Sequence, residues 1–279
     1  MSSSVGFFKG RKAVIATKHA KEKVMQPLLH NYLGVDCFTL YEFDTDVFGT
    51  FAGEVERRLA PKDTLREKIN AAMQISKADL GFGSEGSFGP HPQIPFIPCD
   101  IELVMMIDHK HNLEVVASHL TTETNFRQAQ ISTIQDLHGF LESVDFPTHS
   151  VILKEEKSNE IRKGINNWGD LYQATLALGL GRNVLTIETD MRAMFNPTRM
   201  QVIESTTKML LDKVMQQCPA CEMPGYGDEE LVSGLPCSLC GEATDLIKQK
   251  IIHCPHCGHH ASYDIKKKAS PMYCNHCNP

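Results

Sequence analysis

Apolar residues recur along the chain with two periods, and the switches between them outline the elements. KAVIAT (Lys12–Thr17) is a short apolar, β-prone run that predicts a buried strand. A helical stretch follows to about Leu33, then a second strand in VDCFTLYEF (35–43). PKDTLREKINAAMQIS (61–76) sets Leu65, Ile69, Ala72 and Met73 on one helical face, with Asp63 as the expected cap. ADLGFG (78–83) reads as a strand entering a glycine-rich loop. IELVMMID (101–108) and LEVVASHL (113–120) flank HKHN as a hairpin. Helical patterns run around residues 129–142 and 156–180, and NVLTIET (183–189) is a strand. NPTRMQVIESTTKMLLDKV (196–214) predicts a helix capped by Asn196, with Pro197 at its first position and a core stripe of Met200, Ile203, Leu210, Leu211 and Val214. The alternation predicts an α/β domain with a mixed sheet over residues 1–216. A change in composition near Gln216 starts a second domain, 217–279.

That second domain holds eight of the ten cysteines, in four C-x-x-C pairs: Cys218/Cys221, Cys237/Cys240, Cys254/Cys257 and Cys274/Cys277. Two thiolates separated by two residues can face one ion from a single turn, and four of them close a tetrahedral Zn²⁺ site. Two structural zinc ions are therefore expected in a small tandem zinc-ribbon domain. The pairing is open: sequential pairs give two side-by-side ribbons, and an interleaved scheme joins the second pair to the third. His253, His256, His259, His260 and His276 crowd the later pairs and are read as solvated neighbours. A segment this small has little core, so metal would supply its folding energy. Contact with a protein partner, or plain stabilisation, is the role that suits such a tail. Its bases are balanced by acids and include no arginine, which leaves a nucleic-acid role with little support. Cys37 and Cys99 stand apart from these pairs and are read as small buried hydrophobes.

The rest of the composition narrows the class. Across 279 residues, 42% are hydrophobic, 22% are charged and the net charge is −6, as in a soluble globular protein without a broad nucleic-acid surface. The amino-terminal residues lack a secretory pattern and no run is long enough to span a membrane, so the cytoplasm is the expected compartment.

Four polar stretches at predicted strand ends carry the candidate chemistry. ATKHAKEK presents Thr17, Lys18, His19 and Lys21 at a helix start, which suits phosphate. FDTDVFGTFAGEVER carries Asp44, Asp46 and Glu54, oxygen ligands for Mg²⁺ or Mn²⁺. KADLGFGSEGSFGPHP is neither a Walker loop nor a dinucleotide fingerprint. It reads as a strand ending in a turn that presents Asp79 and Glu85 as candidate catalytic groups, with His91 held between prolines; its alternative is a glycine-rich hairpin. ETDMRAMFNPTRM places Arg192, Thr198 and Arg199 where phosphate or carboxylate can meet them; its alternative is an Arg–Asp ion pair that fixes the loop.

Together ATKHAKEKV, FDTDVFGTFAGE, SEGSFGPHP, TDMRAMFNPTRM and the terminal CNHCNP resemble a bacterial family of unknown function whose members join an α/β domain to a cysteine-rich tail. The α/β part also resembles the inosine/xanthosine triphosphate pyrophosphatase-like fold. AVIATKHAKEKV is similar to that group's first strand and A-T-x-N-x-x-K loop, and NPTRMQVIESTTKMLL to its late Leu-Thr-Arg helix. His19 stands where that group has asparagine, and Glu22 where it has lysine. The resemblance implies Mg²⁺-dependent hydrolysis of a nucleotide or related phosphorylated molecule, in a homodimer. It gives Thr17 to phosphate, Asp79 and Glu85 to metal and water, and Arg199 to substrate. A non-catalytic nucleotide or anion sensor, with its zinc tail on a protein or nucleic-acid partner, is the alternative.

Overall fold

The structure, a computed structural model, describes residues 6–40, 42–44, 59–155 and 157–279. Five strands form a mixed sheet: β1 (Lys12–Ala16), β2 (Asp36–Thr39), β3 (Leu80–Pro90), β4 (Pro98–Asp108) and β5 (Leu113–Thr121). The order is β2-β1-β3-β4-β5, with β2, β1 and β3 parallel and β3, β4 and β5 an antiparallel meander. Helices α1 (Glu22–Leu33) and α5 (Pro197–Met215) cover one face, and α2 (Pro61–Ser76) covers the other. The period of two decides the faces. Ala13 and Ile15 of β1 join Met25, Leu29, Ile203 and Leu210 in one core. Val14 and Ala16 turn to Leu65, Ile69 and Met73 in the other.

The glycine-rich stretch is not a loop. It is the interior of β3, which runs on through Gly81, Gly83, Gly86 and Gly89 to Pro90. Three of them, Gly81, Gly83 and Gly86, serve packing. A Cβ on Gly81 would lie 2.7 Å from side-chain atoms of Ile69 and Met73, so α2 rests directly on the strand backbone. On Gly86 it would lie 2.5 Å from Arg199 Nη2 and 2.6 Å from Glu102 Oε2, inside a buried ion pair. Asp63 is not a helix cap either: Ala60 holds that position without a side-chain bond. Asp63 instead lies in the first turn of α2, ion-paired with Arg66, where its charge suits the helix dipole.

The helices expected around 129–142 and 156–180 are partly strands. β6 (Gln128–Ile131), β7 (Val151–Glu155), β8 (Glu160–Ile165) and β9 (Leu185–Thr189) form a second, antiparallel sheet in the order β6-β9-β7-β8. Helices α3 (Ile134–Ser143) and α4 (Trp168–Ala177) pack on it around Leu137, Leu153, Leu171 and Ile187. Each begins at a side-chain cap, Thr133 in a capping box with Asp136 and Asn167 on the Asp170 N–H. Gly164 at φ +68° and Asn159 at φ +56° punctuate the segment that a continuous helix would have needed. The two sheets meet at the start of α5. Asn196 caps that helix by accepting the Arg199 N–H at 2.9 Å, and its amide donates to Asn125 at 2.8 Å.

After α5 come β10 (Asp228–Ser233), β11 (Ile247–His253) and β12 (His260–Asp264), an antiparallel sheet with β11 in the middle. This tail is seated on the body: Gly225 lies against Val115, where a Cβ would come within 2.6 Å. The Gly225 N–H donates to the Gln216 carbonyl at 2.9 Å. Among the described residues, no helix is long and apolar enough to cross a membrane.

Candidate functional site

The eight tail cysteines form two clusters, and the pairing alternates. Cys218, Cys221, Cys254 and Cys257 make one, and Cys237, Cys240, Cys274 and Cys277 the other. This is neither the sequential scheme nor the one joining the second pair to the third. The sheet explains it. The chain crosses the sheet once between successive pairs, so the first and third pairs collect at one end and the second and fourth at the other. Within each cluster the four sulfurs lie within 4.8 Å of one another, with separations of 3.6–3.9 Å across the pairs. A tetrahedron with Zn–S bonds of about 2.3 Å has edges of about 3.8 Å. The Ala220 and Leu239 N–H groups point at Cys218 and Cys237 at 3.4 Å, fixing the turns. Four thiolates per ion leave no open position, so both clusters fit structural zinc. The five tail histidines stand outside the clusters.

A second constellation lies in the body, where β1 ends and β3 runs on past it. Lys21, at the start of α1, donates to the Ser84 carbonyl and hydroxyl, both at 2.8 Å, and stands 3.9 Å from Glu102. Arg199, in the first turn of α5, meets Glu102 at 3.2 Å, donates to the Met191 carbonyl and lies over the Phe88 ring at 4.9 Å. On the α2 face Lys68 pairs with Glu85 at 2.6 Å. All five charged groups are buried. A sixth is Asp100, only 1% exposed, and neither of its carboxylate oxygens has a hydrogen-bond partner. Alternation along β4 puts Asp100 and Glu102 on the same face, so the two carboxylates are neighbours. Burial first, and then the charge of Glu102, push the Asp100 carboxyl up to about 7, against the pull of Arg199 and Lys21. Burial, and then Arg199, lower the Lys21 ammonium to about 8. Burial works against the charge of Arg199, but Glu102, Asp100 and Glu85 together outweigh it and hold the guanidinium above its usual range. A buried carboxylate without a partner is costly and uncommon, and such perturbed groups cluster at functional sites.

The predicted residues divide among several places. Thr17, Lys18, His19 and Lys21 follow β1 as expected. The Thr17 hydroxyl accepts the His19 N–H at 3.3 Å, and Lys18 pairs with Asp44 at 2.8 Å. Lys21, Glu85 and Arg199 join the buried cluster. Asp79 does not. It precedes β3 about 20 Å along the strand from Glu85. There it pairs with Arg11 at 3.0 Å, beside Asp108 and His111. His91 sits in the β3–β4 turn, where its Nδ1 accepts the N–H groups of Gln93 and Ile94 at 3.1 and 3.3 Å. Arg192 makes the ion pair with Asp190, at 2.6 Å, and lies over Phe195 at 4.6 Å. Thr198 bonds to His149 Nε2 at 2.9 Å. Asp46 and Glu54 lie outside the described residues.

Asp100, Glu102 and Lys68 escaped the sequence reading. Their signal was present: two acids two apart in the apolar run CDIELVMMID, and a lysine on the apolar stripe of LREKINAAM. Charge on a face that must be buried has to be paired or used.

A family model described as "Domain of unknown function (DUF6671)" matches residues 68–279. The chain belongs to this family. The matched segment contains Lys68, Glu85, Asp100, Glu102, Arg199 and all eight tail cysteines, and begins after Thr17–Lys21. No curated protein matches. Among solved structures, the chain is similar to the crystal structure of protein VC0702 from Vibrio cholerae. The identity is 10%, over 73% of this chain and 94% of that one, with a TM-score of 0.34. The inosine/xanthosine triphosphate pyrophosphatase-like fold is not established by either match.

Proposed function

We propose that the α/β body is a hydrolase of a phosphorylated small molecule, acting where β1 ends, with Asp100 as its proton-handling carboxyl. The observation that carries this reading is the buried Asp100 carboxylate, unbonded at both oxygens and within the field of two buried cations, Arg199 and Lys21. A carboxyl near pH 7 can take a proton and return it under the same conditions. As a water oxygen bonds to phosphorus and the bond to the leaving group breaks, Asp100 takes the water proton and passes it to the leaving oxygen. Lys21 and Arg199 stabilise the charge on the phosphoryl oxygens. Glu102 positions both cations, and Lys68 holds Glu85. The resemblance also implies Mg²⁺ or Mn²⁺. The described residues do not build a site for it: Glu102 is committed to Arg199, Glu85 to Lys68 and Asp44 to Lys18, which leaves one free carboxylate.

The test is a phosphate-release screen across standard and deaminated nucleotides and simpler phosphate esters, with and without Mg²⁺ or Mn²⁺. Turnover with an inflexion near pH 7, falling about 100-fold or more in Asp100→Asn, is the expected result. Turnover that Asp100→Asn leaves intact would remove Asp100 from the chemistry. No turnover in the panel, with thermal stabilisation by a nucleotide in both proteins, would make the body a sensor instead.

A further inference from the structure

We infer that one face of the tail sheet carries a third zinc site, built from His253, His260 and Glu230 and held more weakly than the two four-cysteine sites. Register places the residues. Asp228, His253 and His260 lie opposite one another on the three strands, so their side chains share a face. The His253 and His260 rings are 5.8 Å apart between centroids and inclined by 37°. Glu230, two residues beyond Asp228 on β10, turns to the same face and meets His253 Nε2 at 3.0 Å. Directly opposed side chains on neighbouring strands have Cβ atoms about 5 Å apart, close enough for two imidazoles to converge on one ion at about 2.0–2.1 Å. Glu230 and His260 are exposed and free to turn inward.

The donor set is two imidazoles and a carboxylate, which zinc accepts and which leaves a fourth position for water. Asp228, in the same row, faces Lys213 at 4.0 Å and is not counted as a ligand. Cys254 directly follows His253 but belongs to the cysteine cluster, so the new site shares no ligand with it. Fewer ligands, no thiolate and open solvent make it the weaker site.

The experiment is a zinc titration of the full chain, with bound metal read after equilibration against chelators of graded strength. Wild type is expected to take up a third equivalent that a mild chelator removes while two remain. His260→Ala and Glu230→Gln, with both cysteine sites still loaded, are expected to weaken the third equivalent at least 10-fold, and His259→Ala to leave it alone. Cobalt at the third equivalent should add ligand-field absorption without new thiolate charge transfer. Saturation of wild type at two equivalents, or a third equivalent indifferent to His260→Ala and Glu230→Gln, would overturn the site.

Discussion

The tail and the body solve opposite problems with charge. In the tail, four thiolates are gathered around each metal position so that negative charge is met by one ion, and little apolar core is needed. In the body, three cations and three carboxylates sit in a packed core, and the pairing is left incomplete at Asp100. The first arrangement is closed and suits holding a shape. The second keeps one group poised, at a cost to stability that packing elsewhere must offset. The contrast teaches where to look for chemistry: in the less satisfied of the two regions.

The largest effect should come from metal removal. Because the tail sheet runs between the two cysteine clusters, losing one should undo the other. Cys237→Ser or Cys254→Ser is expected to reduce the tightly held zinc from two equivalents to none, with loss of tail amide protection and retention of the body's secondary structure. One zinc retained, with half the tail ordered, would show that the sites are independent. Next in size is Gly86→Ala, whose Cβ would enter the Arg199–Glu102 pair. Breaking a buried ion pair costs about 3–5 kcal/mol, and denaturant unfolding should show a loss of that order. Gly81→Ala meets the flexible Met73 side chain as well as Ile69 and should cost less.

The pH dependence of the body follows from two shifts of opposite sign. Asp100 is raised to about 7 in the folded chain, so between its ordinary value near 4 and pH 7 the folded state binds more protons than the unfolded one. Stability therefore falls as pH rises through that window, and Asp100→Asn should flatten the fall and leave the variant more stable than wild type above pH 7. Lys21 is lowered to about 8, so the folded state binds fewer protons between about 8 and 10.5, and stability should rise with pH there. Urea midpoints from pH 4 to 10 read both slopes. At the small end, Lys208→Gln removes an exposed pair with Glu204 on the outside of α5 and should leave the melting temperature unchanged.

The same contrast explains what was legible in the sequence. The four C-x-x-C pairs are local signals, so all eight ligands could be read from spacing. Their alternating pairing could not, because it depends on the chain crossing the sheet between pairs. The strands Lys12–Ala16 and Pro98–Thr121 and the capped α5 were legible because periodicity and the Asn196–Pro197 start agree. β3 was misread because glycine usually marks a turn, and here Gly81 and Gly83 give α2 room to lie on the strand. β9 was read as a strand, but β6 and β8 were missed because they are short and half-buried, with weak alternation. Lys21 and Arg199 were singled out at helix starts and Glu85 in an expected turn; all three are buried, Glu85 inside β3. Asp100 and Glu102 were passed over inside a strand that read as core.

The most direct test of the account is a residue-resolved titration of the Asp100 carboxyl carbon by NMR, with and without added inorganic phosphate. A proton-handling Asp100 should show a midpoint near pH 7 in the free protein that moves when phosphate binds beside Lys21 and Arg199. A midpoint near 4 that ignores phosphate would contradict that role.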